Sequence, residues 1–227
     1  MWKDDSILYN YSEETPCAHI FQAFCDELGL YYEAKGCKYT PSKSKITYQD
    51  ENIKLVIGFS SSRTNTPGEH VAVAFGVSLH FLEFDKMRKK RGEKVHHGVI
   101  GDMTLLSKRL EGAPWGTIII ENVFGDRIER VEKDSEAEFR YNNYFNVYGI
   151  DVEKFKKVIS FLDSHIFVWI KHILEENKVK ELIQTTGAWG RWSINNDNFK
   201  EFLTLKYPNL VFDELIRNDI EVQPPSA

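Results

Sequence analysis

The sequence predicts an α+β fold: an antiparallel sheet of about five to six strands, packed by an N-terminal helix and a long helix, with extra short helices toward the C-terminus. Three observations carry this. Residues 71–81 alternate strictly, with Val71, Val73, Phe75, Val77, Leu79 and Phe81 on one side and Ala72, Ala74, Gly76, Ser78 and His80 on the other. Strand side chains alternate faces with period two, so this is a strand with a bulky apolar face and a small-residue face. Residues 53–60 repeat the division, Ile53, Leu55, Ile57 and Phe59 against Lys54, Val56, Gly58 and Ser60. Finally, the elements run helix, then strands, then helices, which is the order of an α+β chain and not of alternating α/β units.

Thr15-Pro16 begins the first helix, with threonine as the expected cap and proline at the first helical position. Cys17, Ile20, Phe21, Phe24, Cys25 and Leu28 recur at helical spacing, and Gly29 is expected to end the helix. Short strands follow at 37–40 and 46–48; the second is joined to 53–60 by a hairpin through Gln49-Asp50-Glu51-Asn52. The strands at 53–60 and 71–81 are expected to be antiparallel neighbours. A basic helix or turn at 85–94 leads into 95–104, and Pro114-Trp115-Gly116 opens a strand at 117–124. Residues 125–138 alternate in charge like a solvated hairpin or helix face, and 139–148 are rich in aromatics and asparagine.

Asp151 caps the longest predicted helix, 151–177, whose stripe is Val152, Phe155, Ile159, Leu162, Ile166, Trp169 and Ile173. Unbroken, it would span ~39 Å and cross a whole sheet. Helices at 179–186, 197–206 and 211–218 and a disordered tail at 223–227 complete the pattern. Residues 1–177 read as the sheet domain and 178–227 as a helical appendage of the same unit.

The 227 residues are 42% hydrophobic and 28% charged, with a formal net charge of -5. That acidity argues against a dedicated nucleic-acid binder, which carries a basic footprint. Cys17, Cys25 and Cys37 are too few, and odd in number, for a disulfide framework, so a reducing, cytoplasmic location is expected. The first residues lack the cations and apolar run of a signal peptide. The most apolar run, 158–174, is interrupted by Asp163, His165, Lys171 and His172, so no membrane span is read.

Two sets of candidate anion-binding residues stand out: Ser60, Ser61, Ser62 and Arg63 leaving a strand, and Arg88, Lys89, Lys90 and Arg91 within a cationic run that also holds Lys86 and Lys94. The plain alternative for each is a solvated loop or helix face. The candidate partner-binding residues are the acids Glu129, Glu132, Asp134, Glu136 and Glu138, with Trp189, Arg191 and Trp192 as an aromatic surface akin to binding hot spots. No metal and no cofactor is assigned. His96-His97 would point to opposite faces of a strand, and His165 and His172 lie two helical turns apart, too far to share an ion. Asp26, Glu33 and Lys35 match the acid-acid-lysine set of metal-dependent nucleases only at a spacing that chance supplies.

Leu28-Gly29-Leu30, residues 53–59, Ser60-Ser61-Ser62, Phe75-Gly76-Val77 and Pro114-Trp115 together resemble a family of small uncharacterised bacterial domains. The likeness covers about half the chain and implies a leading helix followed by an antiparallel sheet; the family has no established activity. On the function side, the expectation is a non-catalytic binding protein of bacterial type with a protein partner, specifically an immunity protein that neutralises a basic toxin. The alternative is an enzyme acting on a phosphate-bearing small molecule or nucleic acid through the Ser-rich loop and basic patch, and it requires those two segments to converge. Self-assembly through strand edges or aromatic loops is a third course. Of the sheet's two faces, the small-residue one is the expected place for a groove or partner.

Overall fold

The computed structural model describes residues 2–95 and 98–210 and has the predicted α+β class. His96, His97, the helix expected at 211–218 and the tail at 223–227 lie outside the described residues. Helix α1 (Cys17–Glu33) buries Ile20, Phe24, Cys25, Leu28 and Tyr32 along one stripe. It does not stop at Gly29. The helix runs one turn further, and Gly36, at φ 87°, is the left-handed residue beyond its end. Gly29 instead answers a packing need: a Cβ there would fall within the ring of Tyr39. Thr15 does not cap the helix either, since its hydroxyl accepts the Ser12 amide.

Strands β1 (Lys38–Thr40), β2 (Lys45–Gln49), β3 (Ile53–Ser61) and β4 (Ala72–Phe81) form an antiparallel meander. At the β2–β3 turn Asp50 accepts the amides of Asn52 and Ile53, which closes the expected hairpin. In the β3–β4 register Ile53 lies opposite Phe81, Ser61 opposite Val73, and Gly58 opposite Gly76. The bulky faces of both strands are buried. They carry the core under α1 and under α3 (Val152–Phe161): Phe75 meets Phe161, and Phe24 meets both Phe145 and Phe155.

Beyond β4 the chain forms α2 (Leu82–Lys90), a 3-10 turn at Met103–Leu106, and a second sheet that the sequence does not announce. Strands β5 (Lys108–Arg109), β6 (Thr117–Asn122), β7 (Arg127–Val131) and β8 (Glu138–Asn142) lie in the order β5-β8-β6-β7. Of the charge-alternating stretch 125–138, expected as a solvated hairpin or helix face, residues 127–131 form β7, which pairs with β6 as a hairpin, but β8 returns to the other side of β6 and runs parallel to it. Asn143 then turns the chain into the first sheet; its side-chain amide donates to the Phe75 carbonyl at 2.6 Å, and β9 (Tyr144–Asn146) pairs with β4 as the fifth strand.

The long helix expected at 151–177 is not continuous. After α3 comes a π-helical turn, Leu162–Ile166, then α4 (Phe167–Leu174); Glu175 is extended, and α5 (Glu176–Thr185) starts afresh. The π-turn adds a residue to the helical ladder and turns Asp163 toward α1, where it accepts the Tyr32 hydroxyl at 2.9 Å and the Lys35 ammonium at 2.8 Å. At the second break, the Tyr207 hydroxyl donates to the Ile173 carbonyl at 2.7 Å, serving an acceptor near the end of α4. Helices α6 (Ala188–Ile194) and α7 (Asp197–Lys206) complete the described chain. Phe202 of α7 packs on Phe81 and Phe84, so these helices share the core of the sheet.

Candidate functional site

The two candidate anion-binding segments do not meet. Ser60 to Arg63 leave β3 at the end where Ser61 pairs with Val73, whereas α2 follows Phe81, opposite Ile53. Eight residues of strand separate those ends, ~26 Å at 3.3 Å per residue. The hydroxyls are also engaged locally. Ser61 donates to the Ala72 carbonyl and accepts from Asn65, Ser62 pairs with Thr64, and Ser60 reaches the Ala74 carbonyl. In the basic run, Arg88 is bonded to Glu93 and lies over the Phe84 ring, and Arg91 pairs with Glu93 and Glu201. Lys89 and Lys90 are exposed. The two segments thus leave opposite ends of the β3–β4 pair, and their polar groups are engaged separately.

The partner-binding candidates do gather in part, and their arrangement changes their meaning. Glu138 is 1% exposed and its carboxylate is bonded to Arg140 Nε and to the Trp189 amide. Arg140 extends two further N–H groups to Glu132, at 3.1 and 3.0 Å, and lies over the Trp189 ring at 4.5 Å. Partial burial works to raise the Glu132 carboxyl, but the Arg140 guanidinium outweighs it and holds the group below the usual carboxylate range. Arg191 is bonded to Glu136 and to the Thr186 carbonyl. Glu132, Glu136 and Glu138 are thus already neutralised by the chain's own arginines and fasten α6 to the second sheet. Glu129 and Asp134 stand outside the network on the exposed hairpin, and Trp192 projects elsewhere, with 71% of its surface exposed.

The outward face of the five-stranded sheet is different in kind. Its positions are Lys38 and Thr40 on β1, Lys45, Thr47 and Gln49 on β2, Lys54, Val56, Gly58 and Ser60 on β3, Ala74, Gly76, Ser78 and His80 on β4, and Tyr144 and Asn146 on β9. No acid occurs among them, in a chain with 34 Asp and Glu. Gly58 and Gly76 face each other across β3 and β4, and a Cβ on either would meet nothing within 4 Å. At this pair the floor is therefore open and level with the backbone, whereas Ala72, on the same face at the far end of β4, is fully buried. Lys45 stands beside Gly58, Lys54 stands across from His80, and Asp85 of α2 holds the His80 ring at one rim. Tyr144, stacked against His70, forms the other.

Among the described residues no group of three or more His, Cys, Asp or Glu is placed to hold a metal ion, and no helix is long and apolar enough to cross a membrane. Comparison with protein-family models, with curated proteins and with solved structures finds no match.

Proposed function

We propose that this chain is a non-catalytic binding protein whose contact surface is the outward face of the five-stranded sheet. The observation that supports this is the Gly58–Gly76 pair with empty space above it. A glycine inside a strand costs about 0.5–1 kcal/mol relative to alanine. Neither glycine has a positive φ, and at neither would a Cβ meet an atom within 4 Å, so no turn and no close packing inside the described chain accounts for that cost. A close approach by another backbone is the remaining use of such a site.

The occupant that fits is an acidic segment of a protein partner. Three lysines and several hydroxyls and amides, with no carboxylate between them, favour negative charge at the surface and speed encounter with it. An immunity protein that silences a toxin is the specific form of this binding, with two changes from the expectation raised by the sequence: the partner's contact segment is acidic in place of basic, and the contact surface moves. Glu132, Glu136 and Glu138 are engaged internally, so the contact passes from the acids to the lysine-bearing sheet face.

The test compares a Glu-rich helical peptide with its Lys-rich counterpart by NMR titration. The acidic peptide should shift amides of β2, β3 and β4, and Gly58→Val should weaken it ~10-fold or more while the protein melts no lower than before. Equal binding by Gly58→Val, or preference for the basic peptide, rejects the assignment.

A further inference from the structure

A cavity of about 520 Å³ opens where residues 98–105 meet α6 and α7. Its walls carry an unusual combination of groups: the exposed indole of Trp192, the carboxylates Asp102 and Asp197, and the amides of Asn195, Asn196 and Asn198. We propose that this cavity is a binding site for a neutral carbohydrate. It is built on elements other than the open sheet face and stands independently of that assignment.

Trp192 has no place in the core, and an exposed indole offers a flat apolar plate with one N–H at its edge. A sugar ring presents the matching surface, a face of C–H groups edged by hydroxyls. Around the plate the polar groups supply both donors and acceptors. Asp102 uses one oxygen to accept the Thr104 amide at 3.0 Å, leaving the other for a ligand. Asn196 accepts the Asn198 amide through its side-chain oxygen at 2.9 Å, which leaves its N–H₂ group unspent. Hydroxyls donate to the carboxylates and accept from the amides, so a polyol satisfies both kinds. Two carboxylates with no cation among the described lining residues disfavour phosphate or other anions.

The site is formed in advance. Gly190 lies so close to Thr186, the Thr104 carbonyl and the Ser107 hydroxyl that no side chain fits there. Its amide donates to Ser107 at 2.7 Å, and the Thr104 and Ser193 hydroxyls are hydrogen-bonded. These contacts clamp α6 to the Met103–Leu106 turn and so hold Trp192 and Asp102 in the walls of one cavity. Gly101 lines the cavity with nothing within 4 Å of a notional Cβ, so its mouth is open. The volume lies within the usual range of small-ligand sites.

Tryptophan emission is followed while the full chain is titrated with maltotriose, cellotriose or chitotriose. At least one should bind saturably and shift the emission to the blue. Trp192→Ala should abolish the response, Gly101→Val should block it, and Asp102→Asn should weaken it ~10-fold, all with unchanged melting because these positions are exposed. Binding of none of the three sugars overturns the proposal. So does a response that survives Trp192→Ala, or one given by tetramethylammonium or inorganic phosphate in place of the sugars.

Discussion

The buried Glu138 carboxylate shows how charge is used inside this protein. A carboxylate removed from water is stable only with its partners in place, and Arg140 and the Trp189 amide are those partners. Glu138→Ala should cost about 3 kcal/mol in urea denaturation, since it strands part of a guanidinium that is itself mostly buried. Glu138→Gln keeps an acceptor for the Trp189 amide and should cost less. A wild-type midpoint for Glu138→Ala would show that the network does not fasten α6. His165 gives a pH signature. Burial, assisted by Lys108, lowers its pKa from 6.5, and its ring is held between Tyr141 and Phe161. The unfolded chain therefore takes up this proton first as pH falls. The stability that the neutral ring contributes is whole above pH 6.5, declines below it, and is gone once pH passes the folded-state value. His165→Phe keeps the ring contacts, so the melting temperature should fall less between neutral pH and pH 5 than it does in the wild type; parallel curves would refute the assignment. At this scale the inward residues of β3 and β4 are legible in the sequence, because period two marks them. Glu138 and Arg140 are also legible as neighbours on one strand face, but the approach of Glu132 to Arg140 is not, since it depends on where β8 re-enters the sheet.

Whole elements misread from sequence are those in which a residue serves packing in place of punctuation. Gly29 resembles a helix terminator, yet α1 passes through it because the Tyr39 ring occupies the space of its missing side chain. Alanine would gain about 1 kcal/mol of helix propensity there. The Tyr39 ring is held in place, with its hydroxyl donating to Asp26 at 2.8 Å, so overpacking of about 1–3 kcal/mol should outweigh that gain. Gly29→Ala is expected to lower the melting temperature in the wild type and to raise it in a Tyr39→Ala background. A cycle with no such reversal would show that the contact does not set this glycine. The long helix fails for a related reason. Its apolar stripe continues through 162–175 without glycine or proline, so period alone reads one helix. The interruptions are tertiary: Tyr32 and Lys35 engage Asp163 at the π-turn, and Tyr207 engages the Ile173 carbonyl at the end of α4. Partners more than thirty residues away leave no trace in a local pattern.

Across the whole molecule the two sheets are unequal, and the sequence conveys only the first. In the five-stranded sheet, β3 and β4 are flanked on both edges over part of their length and buried on one face, so each alternation is read directly. In the second sheet β7 is exposed at every position, with Ile128 66% and Val131 73% exposed, and no periodicity distinguishes it from a loop. The return of β8 to run parallel with β6, with β7 itself as part of the return path, is equally invisible. The same asymmetry predicts the dynamics. Opening β7 releases one edge and almost no apolar burial, whereas opening β3 requires loss of the main core. Amide hydrogen exchange should therefore find β7 at least ~100-fold less protected than the centre of β3, the first exchanging by local opening and the second by global unfolding. Leu55→Ala separates the two routes. Removing this fully buried side chain should cost about 2–5 kcal/mol and speed exchange in β3 by the matching factor. It should leave β7 rates unchanged, because the local opening never exposes Leu55. If β7 rates rise in step with those of β3, the hairpin opens only with the core and the two sheets form one cooperative unit.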